Sequence, residues 1–173
     1  MSGILKIMIG FPRSGKTTLV ELLAMSNDSL VVEPDWIRTN ILGHQFHRPA
    51  EPIIWLIADS FIRIALSQGH NVILDGTNLP DFVRAKYIAL AKEMDARVEG
   101  AWITTPMSVC IERNNSSSEG QKLPHEALIA KEEQLVEPSM EEGFDALCIY
   151  DQHFTVVALH DEKYSWSDPV AYG

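Results

Sequence analysis

A chain of 173 residues with 46% apolar side chains and a mean hydropathy of −0.03 can bury one core without disulfides or metal staples, outside the disordered and membrane classes. Its net charge of −10 is uneven: residues 119–173 hold twelve Asp/Glu against three Lys/Arg and residues 1–48 four against five, so no basic face suited to long polynucleotides is visible. Apolar runs such as 53–57 are too short for a bilayer span, residues 1–9 lack a signal-peptide pattern, and Cys110 and Cys148 lie far apart in apolar stretches, so a cytoplasmic protein with buried free thiols is expected.

In chain order, residues 4–9 read as a buried strand and 16–25 as a helix with Leu19, Leu22 and Leu23 on one face. Residues 30–32 make a second short strand, then Pro34 and Asp35 precede a brief helix over 36–42 that Gly43 closes. Pro49 and Pro52 punctuate a loop, and 53–67 fits a helix with Ile54, Ile57, Phe61, Ile64 and Ala65 inward, ended by Gly69. A strand at 71–74, a helix at 81–94 after Pro80, a strand at 97–104 and a helix from Pro106 to 113 continue the alternation. The polar run 114–120 reads as a mobile loop within a lid of about 113–124, and Pro124 opens a helix to about 136. Strands at 146–150 and 154–159 close a single domain over 1–160, and 161–173, with Trp166 and Pro169, form a patternless tail. Strands separated by helices indicate right-handed crossovers, hence a three-layer α/β/α sandwich around a mainly parallel, five-stranded sheet.

The strongest chemical signal is Gly10, Phe11, Pro12, Arg13, Ser14, Gly15, Lys16, Thr17, which satisfies G-x-x-x-x-G-K-[ST] between the first strand and the first helix. In that place successive backbone N–H groups surround phosphate at the positive end of a helix dipole, and the glycines keep the backbone close. Lys16 is placed to reach the β- and γ-phosphates of a nucleoside triphosphate and the Thr17 hydroxyl to ligate magnesium, which makes ATP and Mg²⁺ the expected cofactors. A plain glycine turn is the bland alternative.

Gly10 to Thr18, then Asp35 with Arg38 three residues on, then Asp75-Gly76-Thr77-Asn78-Leu79 after a strand, then Glu112-Arg113-Asn114 before a lid, resemble the P-loop kinases related to phage polynucleotide 5′-kinase and zeta toxins. The resemblance spans about residues 4–150 and implies a nucleoside-kinase-like P-loop fold with a short lid. It implies that Asp35 activates the acceptor hydroxyl, that Arg38 belongs to the acceptor pocket, and that Arg113 contacts the nucleotide.

The residues support these roles less firmly by themselves. An Asp just past a strand's C-terminal end lies on the ligand side of an open α/β sheet, where transfer needs a carboxylate beside the acceptor hydroxyl. Asp35 has that position, and it would also cap the helix behind it. Arg38, one turn on, either faces the same crevice or is solvated. Asp75 follows the apolar stretch 72–74 and is either a Walker-B-like magnesium carboxylate or an Asx turn through Gly76. Thr77 and Asn78 are weaker candidates, and His44, Phe46, His47 and Arg48 either set acceptor choice or form an ordinary connection.

The chain departs from the family where a second lid arginine is usual: residues 114–121 contain none, and Lys122 is the nearest cation. Lys122 is therefore either the lid's phosphate contact or a solvated lysine before Pro124, and Arg13 is another supplier of charge. The expected activity is transfer of the γ-phosphate of Mg-ATP to a hydroxyl of a small-molecule or nucleoside-type acceptor. A polynucleotide 5′-hydroxyl kinase and a non-catalytic ATP-binding switch remain as alternatives.

Overall fold

The computed structural model describes residues 3–41, 43 and 48–161. Six strands form one sheet in the order β2-β3-β1-β4-β5-β6. They are β1 (Ile4–Ile9), β2 (Ser29–Val32), β3 (Asn71–Leu74), β4 (Arg97–Ile103), β5 (Ala146–Tyr150) and β6 (Val156–Asp161). The first five are mutually parallel, and β6 runs antiparallel beside β5, so the five-stranded expectation is corrected by one edge strand. The hairpin that adds it needs only the short turn after Tyr150, whereas each parallel pair needs a crossover.

The crossovers supply helices α1 (Lys16–Asn27), α2 (Pro34–Ile41), α3 (Glu51–Ser67), α4 (Asp81–Glu93), α5 (Met107–Asn115) and α6 (His125–Glu132). One face of the sheet, with Leu5, Ile7, Val72, Leu74 and Val98, packs against α2, α3 and α4. The other face, with Met8, Ile73, Ala101 and Ile103, packs against Leu19 and Val20 of α1. These strands are apolar on both faces because both faces are covered.

Two inward faces differ from expectation. In α3 the buried positions are Ile54, Ala58, Ile62, Ala65 and Leu66, while Phe61 and Ile64 are exposed. The helix carries apolar residues on two adjacent stripes, and packing on the sheet selects one of them. In α1, Leu22 is exposed beside buried Leu19. Helix α2 starts two residues before the expected point, which puts Asp35 inside its first turn rather than at the cap. The last strand begins at Val156 because Phe154 takes a positive φ of 64° in the turn before it. The candidates His44, Phe46 and His47 and the tail residues Trp166 and Pro169 lie outside the described residues, whereas Arg48 begins a 3₁₀ turn before α3.

This topology positions the site. The chain leaves β1 for β2 at the sheet edge, returns to β3 beside β1, and crosses to β4 on the other side, so the crevice at the C-terminal end of β1 is the switch point where open α/β sheets bind ligands.

Candidate functional site: a P-loop crevice with carboxylates on its far side

The loop after β1 is held from three directions. The Gly10 amide donates to the Thr77 carbonyl at 3.1 Å, the Thr105 hydroxyl donates to the Ser14 carbonyl at 2.8 Å, and Arg113 Nη1 donates to the carbonyls of Ser14 and Arg13 at 2.9 and 3.2 Å. Gly15 adopts φ 103°, and a Cβ there would stand 3.0 Å from the Phe154 ring, so the position demands glycine. Arg13 takes φ 66°, and its Nη2 donates to the Gln121 carbonyl, joining the loop to the lid. Pro12 is half-buried.

Lys16 opens α1 with its side chain buried, and its ammonium donates to the carbonyls of Gly10 at 3.0 Å and Phe11 at 2.6 Å. Burial lowers its pKa to about 8, opposed chiefly by Asp75 and less strongly by Asp35. Thr17 and Thr18 follow with exposed side chains in the first turn of α1. With Arg13, Lys16 and Arg113 they line a cavity of about 640 Å³. Among the described residues, the buried Ser14 hydroxyl and Arg13 Nε have no protein partner, and both belong to this loop. Buried polar atoms without partners are rare, and here they fit a site for a phosphate chain.

Asp75 and Asp35 lie within electrostatic reach of Lys16, and Glu33 lies within reach of both of those carboxylates. Asp75 is buried just past β3, its pKa raised by burial and by Asp35 while Lys16 pulls it down. Glu33, half-buried at the end of β2, is raised by burial first and then by Asp75 and Asp35. Asp35 is 82% exposed and accepts a hydrogen bond at Oδ1 from Arg38 Nη1. Arg38 itself is buried. Its Nε and Nη2 donate to the two oxygens of Glu51 at 2.7 Å each, and its guanidinium lies 5.5 Å from the centre of the Trp55 ring. Such a forked pair holds a planar guanidinium in one orientation and keeps its charge fixed. The hydrogen bond from Arg38 is the first reason that Glu51 titrates below the usual carboxylate range.

The structure separates the remaining candidates. Asn78 is buried at φ 43°, and its Nδ2 donates to the Met8 carbonyl at 2.7 Å, bracing β1. Arg113 lines the cavity while bonding the loop backbone. Lys122 is bound to Glu119 at 3.1 Å and does not line the cavity. The ends of the segment expected to form a lid are tied together by Asn114, whose Nδ2 donates to the Leu123 carbonyl and whose Oδ1 accepts from the Leu123 amide, both at 2.9 Å.

Sequence reasoning missed four contributors. Glu33 and Glu51 carry no motif, although Glu33 directly follows a strand on the ligand side. His153 and Phe154 wall the cavity from the β5–β6 turn. Their one available signal was position, past the C-terminal end of a parallel strand.

An AAA-domain family profile, AAA_33, matches residues 5–138, and the chain belongs to that family. The fold is that of P-loop kinases. The L-seryl-tRNA(Sec) kinase of Methanococcus maripaludis is 26% identical over 145 residues, covering 82% of this chain and 56% of that protein. A chain of the Pnkp1/Rnl/Hen1 RNA repair complex superposes with a TM-score of 0.70 at 21% identity, covering 96% of this chain and 52% of that one. Kti12 of Chaetomium thermophilum in complex with ADP-AlF3 superposes with a TM-score of 0.68 at 14% identity, covering 85% and 88%. This chain therefore spans about half the length of the tRNA kinase and of the repair-complex chain. Among the described residues no helix is long and apolar enough to cross a membrane.

Proposed function

We propose that the chain is a phosphotransferase that moves the γ-phosphate of ATP onto a hydroxyl of a small-molecule or nucleoside-type acceptor. The observation that carries this reading is the P-loop cavity of about 640 Å³ lined by Arg13, Lys16, Thr17 and Arg113, in a loop whose buried Ser14 hydroxyl and Arg13 Nε have no protein partner. A triphosphate in the P-loop cavity would draw the Lys16 ammonium away from the Gly10 and Phe11 carbonyls and onto its β- and γ-oxygens. Asp35, open to solvent at the start of α2, would accept the proton of the acceptor hydroxyl. The acceptor oxygen then bonds the γ-phosphorus as the bond from that phosphorus to the bridging oxygen breaks, and ADP leaves with the electron pair.

Arg38 would orient Asp35 and is itself oriented by Glu51. The exposed Thr17 hydroxyl and the Asp75 carboxylate are the oxygen donors suited to magnesium, Asp75 through water. Bound there, the ion would neutralise charge building on the phosphate oxygens. The acidic surroundings of Glu33, Asp35, Glu51 and Asp75 disfavour a long polyanionic acceptor, in line with the net charge of −10.

The test is transfer from γ-labelled ATP with magnesium to pooled sugars, nucleosides, antibiotics and short 5′-hydroxyl oligonucleotides. Label on a small acceptor supports the proposal, and label on the oligonucleotides alone makes the protein a polynucleotide 5′-kinase. ATP binding with no transfer to any pool makes it a nucleotide-binding switch, as a lid whose Lys122 is held by Glu119 would allow.

A further inference from the structure

The second apolar stripe of α3 is left uncovered by the described residues. Ile53, Phe61 and Ile64 are 52%, 44% and 65% exposed, and beside them stand Val31 of the edge strand β2 and Trp36 and Ile41 of α2 at 42%, 55% and 53%. Between ridge and strand runs a groove of about 420 Å³ whose lining includes Val31, Trp36, Ile41 and Phe61. Among the described residues β2 pairs on one side only, with β3.

We infer that this face joins two copies of the chain into a two-fold dimer. The argument does not depend on which acceptor the site takes. The six side chains expose roughly 600 Å² of apolar surface, at the top of the range for the largest patch on a monomer. A standard interface buries about 800 Å² per partner, and in homodimers about 65% of it is apolar, so roughly 500 Å² of apolar surface is needed and the face supplies it. A ridge and a groove side by side on one face are self-complementary under a two-fold axis, which lays the ridge of each copy against the groove of the other.

The low charge of the face also fits a second copy better than an acidic or basic partner. The described residues 119–161 hold ten Asp/Glu against two Lys, and β5 and β6 in this stretch form the opposite edge of the sheet from β2. Five strand spacings put that edge about 24 Å from β2, roughly three Debye lengths at physiological salt. Of those acids Asp161 alone lies on β5 or β6; the six side chains of the face are uncharged, and Glu33 is the one charged residue in the groove lining. Pairing also covers the exposed β2 edge, which otherwise invites uncontrolled strand addition.

The experiment is sedimentation velocity of the full chain from 1 to 200 μM, with Ile64→Glu and Ile53→Lys as interface variants and Leu22→Glu, on exposed α1, as a control. The wild type and Leu22→Glu are expected to sediment as a species of about twice the 19.4 kDa chain mass at tens of micromolar. Each interface variant should raise the dissociation constant by at least about 100-fold, because a charge would be buried without a partner. Unchanged ADP affinity and melting temperature in at least one interface variant show that the change is local, since both sites are largely exposed. A wild type that stays monomeric throughout, or a dimer that both folded variants preserve, overturns the inference.

Discussion

Replacing Lys16 by Met should abolish nucleotide binding and at the same time make the empty protein more stable. The ammonium is buried, and its pKa falls from 10.5 to about 8 on folding. Two and a half units at 1.36 kcal/mol each give about 3 kcal/mol by which the folded state disfavours the charged form at pH 7. Met removes that charge but strips the Gly10 and Phe11 carbonyls of their donor, at about 1 kcal/mol each. The net expectation is a gain on the order of 1 kcal/mol in urea unfolding at pH 7 without nucleotide. The sign reverses with pH. Between about 8 and 10.5 the unfolded lysine holds a proton that the folded one has released, so wild-type stability rises with pH relative to the variant. By pH 10.5 the advantage of Met is gone and the lost hydrogen bonds leave it the less stable of the two. Measuring both proteins at pH 7 and pH 10 cancels the titrations they share. A variant less stable at pH 7, with a difference that does not change with pH, would refute the reasoning and make Lys16 an ordinary packing residue.

Asp35→Asn keeps an oxygen for Arg38 but cannot accept a proton, so ATP affinity by calorimetry should hold while transfer to an identified acceptor falls at least about 100-fold; near-wild-type transfer would assign the base elsewhere. Glu142→Ala should lower stability by about 3–5 kcal/mol, because Arg84 is fully buried and its Nε and Nη2 donate to Glu142 at 2.7 and 2.6 Å; thermal unfolding reads this directly, and a change below 1 kcal/mol would show that the guanidinium finds other partners. In single-turnover transfer, Lys122→Ala should match wild type, since Lys122 engages Glu119 outside the cavity; a slow Ala variant restored by Lys122→Arg would instead place that charge on the phosphates when the lid closes.

The P-loop was legible because each of its duties needs one residue type at one spacing: glycine where φ is positive, a long cation at the end of the loop, a hydroxyl after it. Asp35 and Asp75 were legible as candidates because carboxylates that directly follow strands fall on the ligand side. Asn78 looked like part of a motif with chemistry, yet its amide is spent on the Met8 carbonyl, a contact between residues 70 apart in sequence. Likewise Arg38 could be read as solvated until Glu51, thirteen residues on, was seen to hold it in a fork.

By itself, the sequence determined the alternation of strands and helices, the parallel sheet and the glycine-rich loop between β1 and α1, because hydrophobic period, glycine and proline placement and the G-K-T run are local properties. Tertiary structure alone decided which of the two apolar stripes on α3 turned inward and which carboxylates met Lys16. It also brought Phe154 of the last turn over Gly15. Those outcomes depend on packing and on electrostatic fields between segments far apart in the chain, and a local pattern of residues carries no record of the partner it will meet.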